Sequence, residues 1–140
     1  MTRPAFEIIE HPADVGFLAY GATLEELFAN AALAMMSLAC ELDAVKETAS
    51  RQIEASAADV ESLLFAWLAE ILGIADAEQL VFRRSEVTTL GGNRVTGLVH
   101  GEEFDKSRHH AGTYIKAVTL HQFRVEKTAD GWRAQVYLDV

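Results

Sequence analysis

Two aspartates near opposite ends of the chain carry the clearest chemistry. Asp14 stands just ahead of the apolar run Val15 to Tyr20, and Asp139 lies in the closing stretch Trp132 to Val140. A carboxylate beside a strand that must be packed is costly unless it caps something, pairs with a cation or binds a metal. In the closing stretch Trp132, Ala134, Val136 and Leu138 share one face, so Arg133, Gln135, Tyr137 and Asp139 share the other. Asp139 is therefore a second carboxylate at an apolar strand end, and the carbonyl and terminal carboxylate of Val140 would add further oxygens. Hard oxygen ligands suit calcium or magnesium, whereas zinc would want His or Cys at a recognisable spacing. The other reading is that Asp14 caps a turn after Ala13 and Asp139 is solvated at a frayed end. Spacing leaves both open.

A second group of reactive side chains falls in the polar stretch Glu103 to Thr113, where charges, histidines and a glycine occur together as they do in functional loops. Arg108, His109 and His110 could contact phosphate or a partner protein there, or form part of a solvated charged loop. His11 either orients Asp14 or ends a turn. His121 reads as a surface-strand residue, and Cys40, with no nearby His to activate it, as a small buried hydrophobe. Gly91-Gly92-Asn93 suits a hairpin turn better than a nucleotide cradle.

The elements that must position these residues are legible from periodicity. A short apolar piece, Phe6 to Ile9, and the strand Val15 to Tyr20 precede a helix opened by the capping box Thr23-Leu-Glu-Glu26 and continued to about Ala39 by Leu24, Leu27, Phe28, Ala31, Met35 and Leu38. A strand over Glu47 to Ala55 leads to Ser56-Ala-Ala-Asp59, which can cap a second helix whose stripe is Val60, Leu63, Leu64, Trp67, Leu68, Ile71 and Leu72. Period-two alternation then predicts a hairpin, Leu80 to Leu90 with Arg94 to Glu102, and a second with arms Lys116 to Glu126 and Trp132 to Val140. Two helices among about six strands, with hairpins dominant, predict an α+β layered domain on a mostly antiparallel sheet, spanning residues 1–140 without an internal boundary.

Composition excludes several classes. Half the residues are hydrophobic, enough for a real core, and the formal net charge of −9 has the wrong sign for neutralising nucleic-acid phosphates, so direct stable nucleic-acid binding is not expected. A single cysteine rules out an intramolecular disulfide, and no apolar run of about 18 residues exists to span a bilayer. With no signal-peptide pattern at the N-terminus, a cytoplasmic location is expected and no membrane partner.

Four stretches taken in order, HPADVGFLAYGATLEELFANAALAM, VESLLFAWLAEIL, GEEFDKSRHHAGTYIKAVTLH and GWRAQVYLDV, resemble the archease family across nearly the whole chain. The resemblance implies a non-catalytic cofactor protein for an RtcB-type RNA ligase in tRNA splicing and RNA repair. Its role would be to promote guanylylation of the ligase's active-site histidine and to support multiple turnover, with the guanine nucleotide bound by the ligase and not by this chain. It further implies metal ligands at Asp14, Asp139 and Val140, with calcium bound, and a functional lysine at Lys116 within Gly112-Thr-Tyr-Ile-Lys-Ala-Val-Thr119. Arg108, His109 and His11 are expected near the ligase contact or the motif that makes it. Pro12 stands where the family usually has Thr, Leu120 where it has Tyr, and Tyr114 where it has an acidic residue. Two other classes remain open on the residues alone: a small metal-dependent hydrolase using Asp14, Asp139 and a histidine, and a chaperone-like domain with a broad exposed apolar surface.

Overall fold

The computed structural model describes residues 4–10, 14–110 and 112–140. Its N-terminal apolar runs pair as antiparallel strands β1 (Phe6–Glu10) and β2 (Val15–Gly21). Helix α1 (Leu24–Ala39) begins where Thr23 Oγ1 accepts the Glu26 N–H at 3.1 Å, while the Glu26 carboxylate accepts the Ala22 N–H at 3.3 Å. The predicted capping box thus satisfies backbone donors that a bare helix start would leave open. Strand β3 (Ala49–Ser56) leads to α2 (Val60–Glu78), whose N-terminus is closed by Asp59 accepting the Ser62 N–H at 2.8 Å. Strands β4 (Leu80–Gly91) and β5 (Arg94–Glu103) then form the first hairpin. Its turn residues Gly92 and Asn93 have φ of 60° and 64°, the doubly left-handed geometry that matches strand twist. Short β6 (Ala117–Val118), β7 (Arg124–Thr128) and long β8 (Gly131–Asp139) complete the chain.

Every pairing is antiparallel, as alternation predicts, but the strands divide between two sheets. One is five-stranded: β1, β2 and β8 lie side by side, and the far edge of β8 is shared by β7 along its first half and β6 at its end. The other is β3-β5-β4. Both helices touch strands of both sheets. Phe17, Val136 and Leu138 from the first sheet, Ile53, Val95 and Val99 from the second, and Phe28, Leu64, Trp67 and Leu68 from the helices are all buried in one core. Full burial of each large side chain stabilises by roughly 1.5–3 kcal/mol. Trp67 also donates its indole N–H to the Phe28 carbonyl at 3.1 Å, so its burial leaves no unpaired donor. Cys40 is buried as expected, and that burial pushes its thiol pKa up, away from reactivity.

One predicted strand is corrected. The arm expected to run from Lys116 to Glu126 is broken into β6 and β7 by a turn. There the Thr119 N–H and hydroxyl both donate to the Tyr137 carbonyl, at 3.1 and 2.9 Å, Gln122 takes a left-handed φ of 49°, and Phe123 turns into the core edge-on to Phe65. Strand β3 also begins at Ala49 and not at Glu47, whose carboxylate is drawn to the Arg84 guanidinium at 2.8 Å.

Candidate functional site

Strand β8 brings the two aspartates together. Its register with β2 pairs Val15 with Leu138 and Gly16 with Tyr137, and carried one residue further outward it sets Asp14 opposite Asp139, with the parity of the sheet's outer face. Directly opposed residues in an antiparallel pair have Cβ atoms on the order of 5 Å apart, and like charges so placed repel. Asp14 is half-buried, Asp139 exposed, and no hydrogen bond or ion pair joins either carboxylate to another described residue. The tip is held by its neighbours. The Tyr137 ring lies across Gly16, where an added Cβ would come within 2.6 Å of it.

On the opposite edge of β8, Ala117 pairs with Asp139, and the Lys116 N–H donates to the Asp139 carbonyl at 2.8 Å. Lys116 therefore lies beside Val140, with an exposed side chain that makes no ion pair to another described residue. The groups that could be offered to an ion here are the two carboxylates and Val140, oxygen throughout, the ligand type that hard cations such as calcium take. The described residues contain no cluster of three or more His, Cys, Asp or Glu, so a complete coordination shell would need the Val140 oxygens and water. His11, the remaining residue expected near the tip, lies outside the described residues.

The charged loop after β5 is organised around a different carboxylate. Glu102, 6% exposed, accepts three donors: Arg108 Nη2 at 2.6 Å, the Lys46 N–H at 2.7 Å and His109 Nε2 at 2.9 Å. Arg108 foremost, then the Lys46 N–H and His109, holds its pKa down to about 2. His109 is 2% exposed and its Nδ1 accepts the Asp105 N–H at 2.9 Å, so both ring nitrogens are engaged inside the fold. Arg108 is exposed and points its guanidinium back to Glu102. The structure thus gathers Asp14, Asp139, Val140 and Lys116 at one end of the five-stranded sheet, and ties Arg108 and His109 to β5 of the other.

Glu102 is the residue that alternation misses. It has the parity of the outward β5 positions Thr96, Leu98 and His100, and the loop folding back over it is what buries it. The signal available in the sequence was Arg108 and His109, six and seven residues downstream. His121 is exposed with its ring 5.7 Å from that of Tyr137, on the same outer face as the aspartates. His100 Nδ1 lies 2.8 Å from Ser50 Oγ and its Nε2 3.3 Å from Glu86, a carboxylate already held by Arg84.

Comparison with known proteins agrees with this architecture. The profile of the archease protein family matches residues 6–140. Protein archease of Methanosarcina mazei is 40% identical over 139 residues, covering 96% of this chain and 95% of that protein, and protein archease of Pyrococcus abyssi is 37% identical, covering 96% and 98%. The solution structure of Methanobacterium thermoautotrophicum protein 1598 superimposes with a TM-score of 0.82 at 35% identity, over 97% of this chain and 99% of that one. A crystal structure from Thermotoga maritima, described as an archease and possible chaperone, shares the fold at a TM-score of 0.65 and 20% identity, over 100% of this chain and 98% of that one. An antiparallel α+β fold whose two sheets share one helical core belongs here to a known class. The chain is a member of the archease family.

Proposed function

We propose that this chain is a non-catalytic, metal-binding activator of an RtcB-type RNA ligase, acting in tRNA splicing and RNA repair by promoting guanylylation of the ligase's active-site histidine and multiple turnover. The observation that carries the reading is the open tip: the β2–β8 register sets Asp14 opposite Asp139 without a described cation partner, and Lys116, whose backbone N–H bonds the Asp139 carbonyl, is exposed at the same end of the sheet. Opposed like charges without partners are unfavourable in themselves, so a built-in pair of this kind suits a site meant to receive a cation. Asp14, Asp139 and the Val140 oxygens would hold calcium, which would supply a positive centre for phosphate or carboxylate oxygens of the partner. Lys116, on the other edge of β8, places a second cation at the same end.

The ligase contact is transient in this reading, and RNA and guanine nucleotide are held by the ligase, because a chain of net charge −9 lacks the electrostatic footprint for phosphate backbones. No helix among the described residues is long and apolar enough to cross a membrane, and a cytoplasmic site of action is proposed. A hydrolase is supported less well. His109 has neither ring nitrogen free to act as a base, and His100 faces a carboxylate that Arg84 claims. A general chaperone needs a broad apolar surface, whereas the exposed large apolar side chains among the described residues are Ile8, Tyr114 and Leu120. Single-turnover guanylylation of a cognate ligase, with and without this protein and calcium, tests the proposal. The expected result is faster guanylylation that requires both; an unchanged rate removes the activator role.

A further inference from the structure

Glu102 and His109 are the buried polar or charged side chains of the described residues, one at the end of β5 and the other in the loop that follows, away from the Asp14 and Asp139 tip. We infer that they form an internal latch that sets the position of the segment carrying Lys116, which makes them positioning residues for the activating face. The inference rests on the activator reading for its consequence, although the latch itself is testable without it.

The geometry builds outward from Glu102. Its carboxylate lies at the end of β5, where the chain leaves the sheet, and the loop returns to place Arg108 and His109 against it. His109 answers two demands at once: Nε2–H donates to Glu102, and Nδ1 accepts the Asp105 N–H. A single tautomer satisfies both. The backbone N–H of His109 also donates to the Asp105 carbonyl at 2.7 Å, so the residue closes the loop's own turn while fastening that turn to the strand. Phe104 adds a ring 5.6 Å from the imidazole.

From the latch the chain runs to the end of α1. There the Gly112 and Thr113 N–H groups donate to the Ala39 and Leu38 carbonyls, at 3.1 and 2.9 Å, filling acceptors that a helix end leaves open. The approach is close enough that a Cβ on Gly112 would collide with the Leu38 carbonyl oxygen. Ile115 is then buried, and the Lys116 N–H reaches Asp139. Residues 112–116 have no regular secondary structure, so their place depends on how both ends are fastened. Strand β6 fastens one end, and the α1 carbonyls fasten the other, with the latch anchoring the chain just ahead of them.

The test compares His109→Phe, which keeps a ring beside Phe104 but makes neither bond, with His109→Gln, whose amide can donate to Glu102 and accept from Asp105. Amide hydrogen exchange should rise about tenfold from Asp105 through Lys116 in H109F, with α2 unchanged, and return close to wild type in H109Q. Ligase guanylylation should follow the same order, falling about fivefold in H109F and recovering in H109Q, as the position of Lys116 is disturbed and restored. Arg108→Ala guards against a misfolded H109F: it removes one donor to Glu102 from the exposed side and should raise exchange over the same segment by a smaller factor. The latch is overturned if exchange rises only near His109 and stops short of Thr113. It is equally overturned if Gln fails to rescue, or if H109F stimulates the ligase like wild type. Should wild type itself fail to stimulate, the activator reading falls while the exchange pattern still decides the latch.

Discussion

The molecule contains two carboxylate-centred clusters built in opposite ways. Glu102 is buried, and its surroundings supply three donors within hydrogen-bond distance. Asp14 and Asp139 are more open, face each other, and find no partner among the described residues. A satisfied buried carboxylate spends its charge inside the fold and specifies one conformation, whereas a more open pair without partners leaves its charge uncompensated by the fold. Burial and partner count, more than residue type, distinguish an acidic residue that holds structure from one that is left open to solvent.

The sharpest way to break this contrast is to delete each carboxylate. Glu102→Ala leaves the Lys46 N–H and His109 Nε2 without an acceptor, and the thermal midpoint should fall by roughly 5–10 °C. A midpoint within a degree of wild type would mean that water replaces the side chain freely. Asp14→Asn and Asp139→Asn should do the reverse. Their midpoints without metal should stay level or rise, since a repulsion is relieved, while calcium affinity by calorimetry drops about tenfold or more and ligase stimulation drops with it. Unaltered calcium titrations in both variants would remove the tip as a metal site.

Acid sharpens the comparison further. Glu102 titrates at about 2 in the fold against an ordinary value of 4.5, so its bonds contribute fully above pH 4.5 and that contribution is lost as the pH falls through about 2. The midpoint difference between wild type and Glu102→Gln should therefore be constant near neutrality and shrink between those two pH values. A difference that persists undiminished at pH 2 would show that the Gln variant suffers from packing and not from lost charge. The smallest structural effect is expected at Lys116, where Lys116→Ala should cost less than about 0.5 kcal/mol in stability. Ligase stimulation should nonetheless fall severalfold, and a variant that stimulates fully would take Lys116 out of the activating face.

The contrast also explains what could be read ahead of the structure. Both helices, their caps at Thr23 and Asp59, and the Gly92-Asn93 hairpin follow from local signals of a few residues, and they appear where those signals lie. The meeting of Asp14 with the end of β8 is long-range, and alternation could assign faces without saying which strands pair. The break between β6 and β7 depends on the Thr119 hydroxyl reaching the Tyr137 carbonyl, a contact that a plausible alternating pattern conceals. Arg108 and His109 were visible as a charged loop, but the loop's folding over Glu102 is a tertiary event that no local pattern encodes.

The central place of β8 also has a consequence for how the protein is made. The sequence of β3, α2, β4 and β5 is continuous, so this unit can begin to assemble while later residues are still being added on the ribosome. The five-stranded sheet has to wait, because β2 pairs with β8 across nearly the whole length of the chain. Until residues 131–139 have emerged, one edge of β2 lacks its neighbour, an interval in which exposed strand edges are open to misassembly. Asp14 and Asp139 become neighbours only when that last strand docks. A cation that bridged the pair would therefore bind only molecules in which β8 has docked on β2, and by mass action it would favour that state.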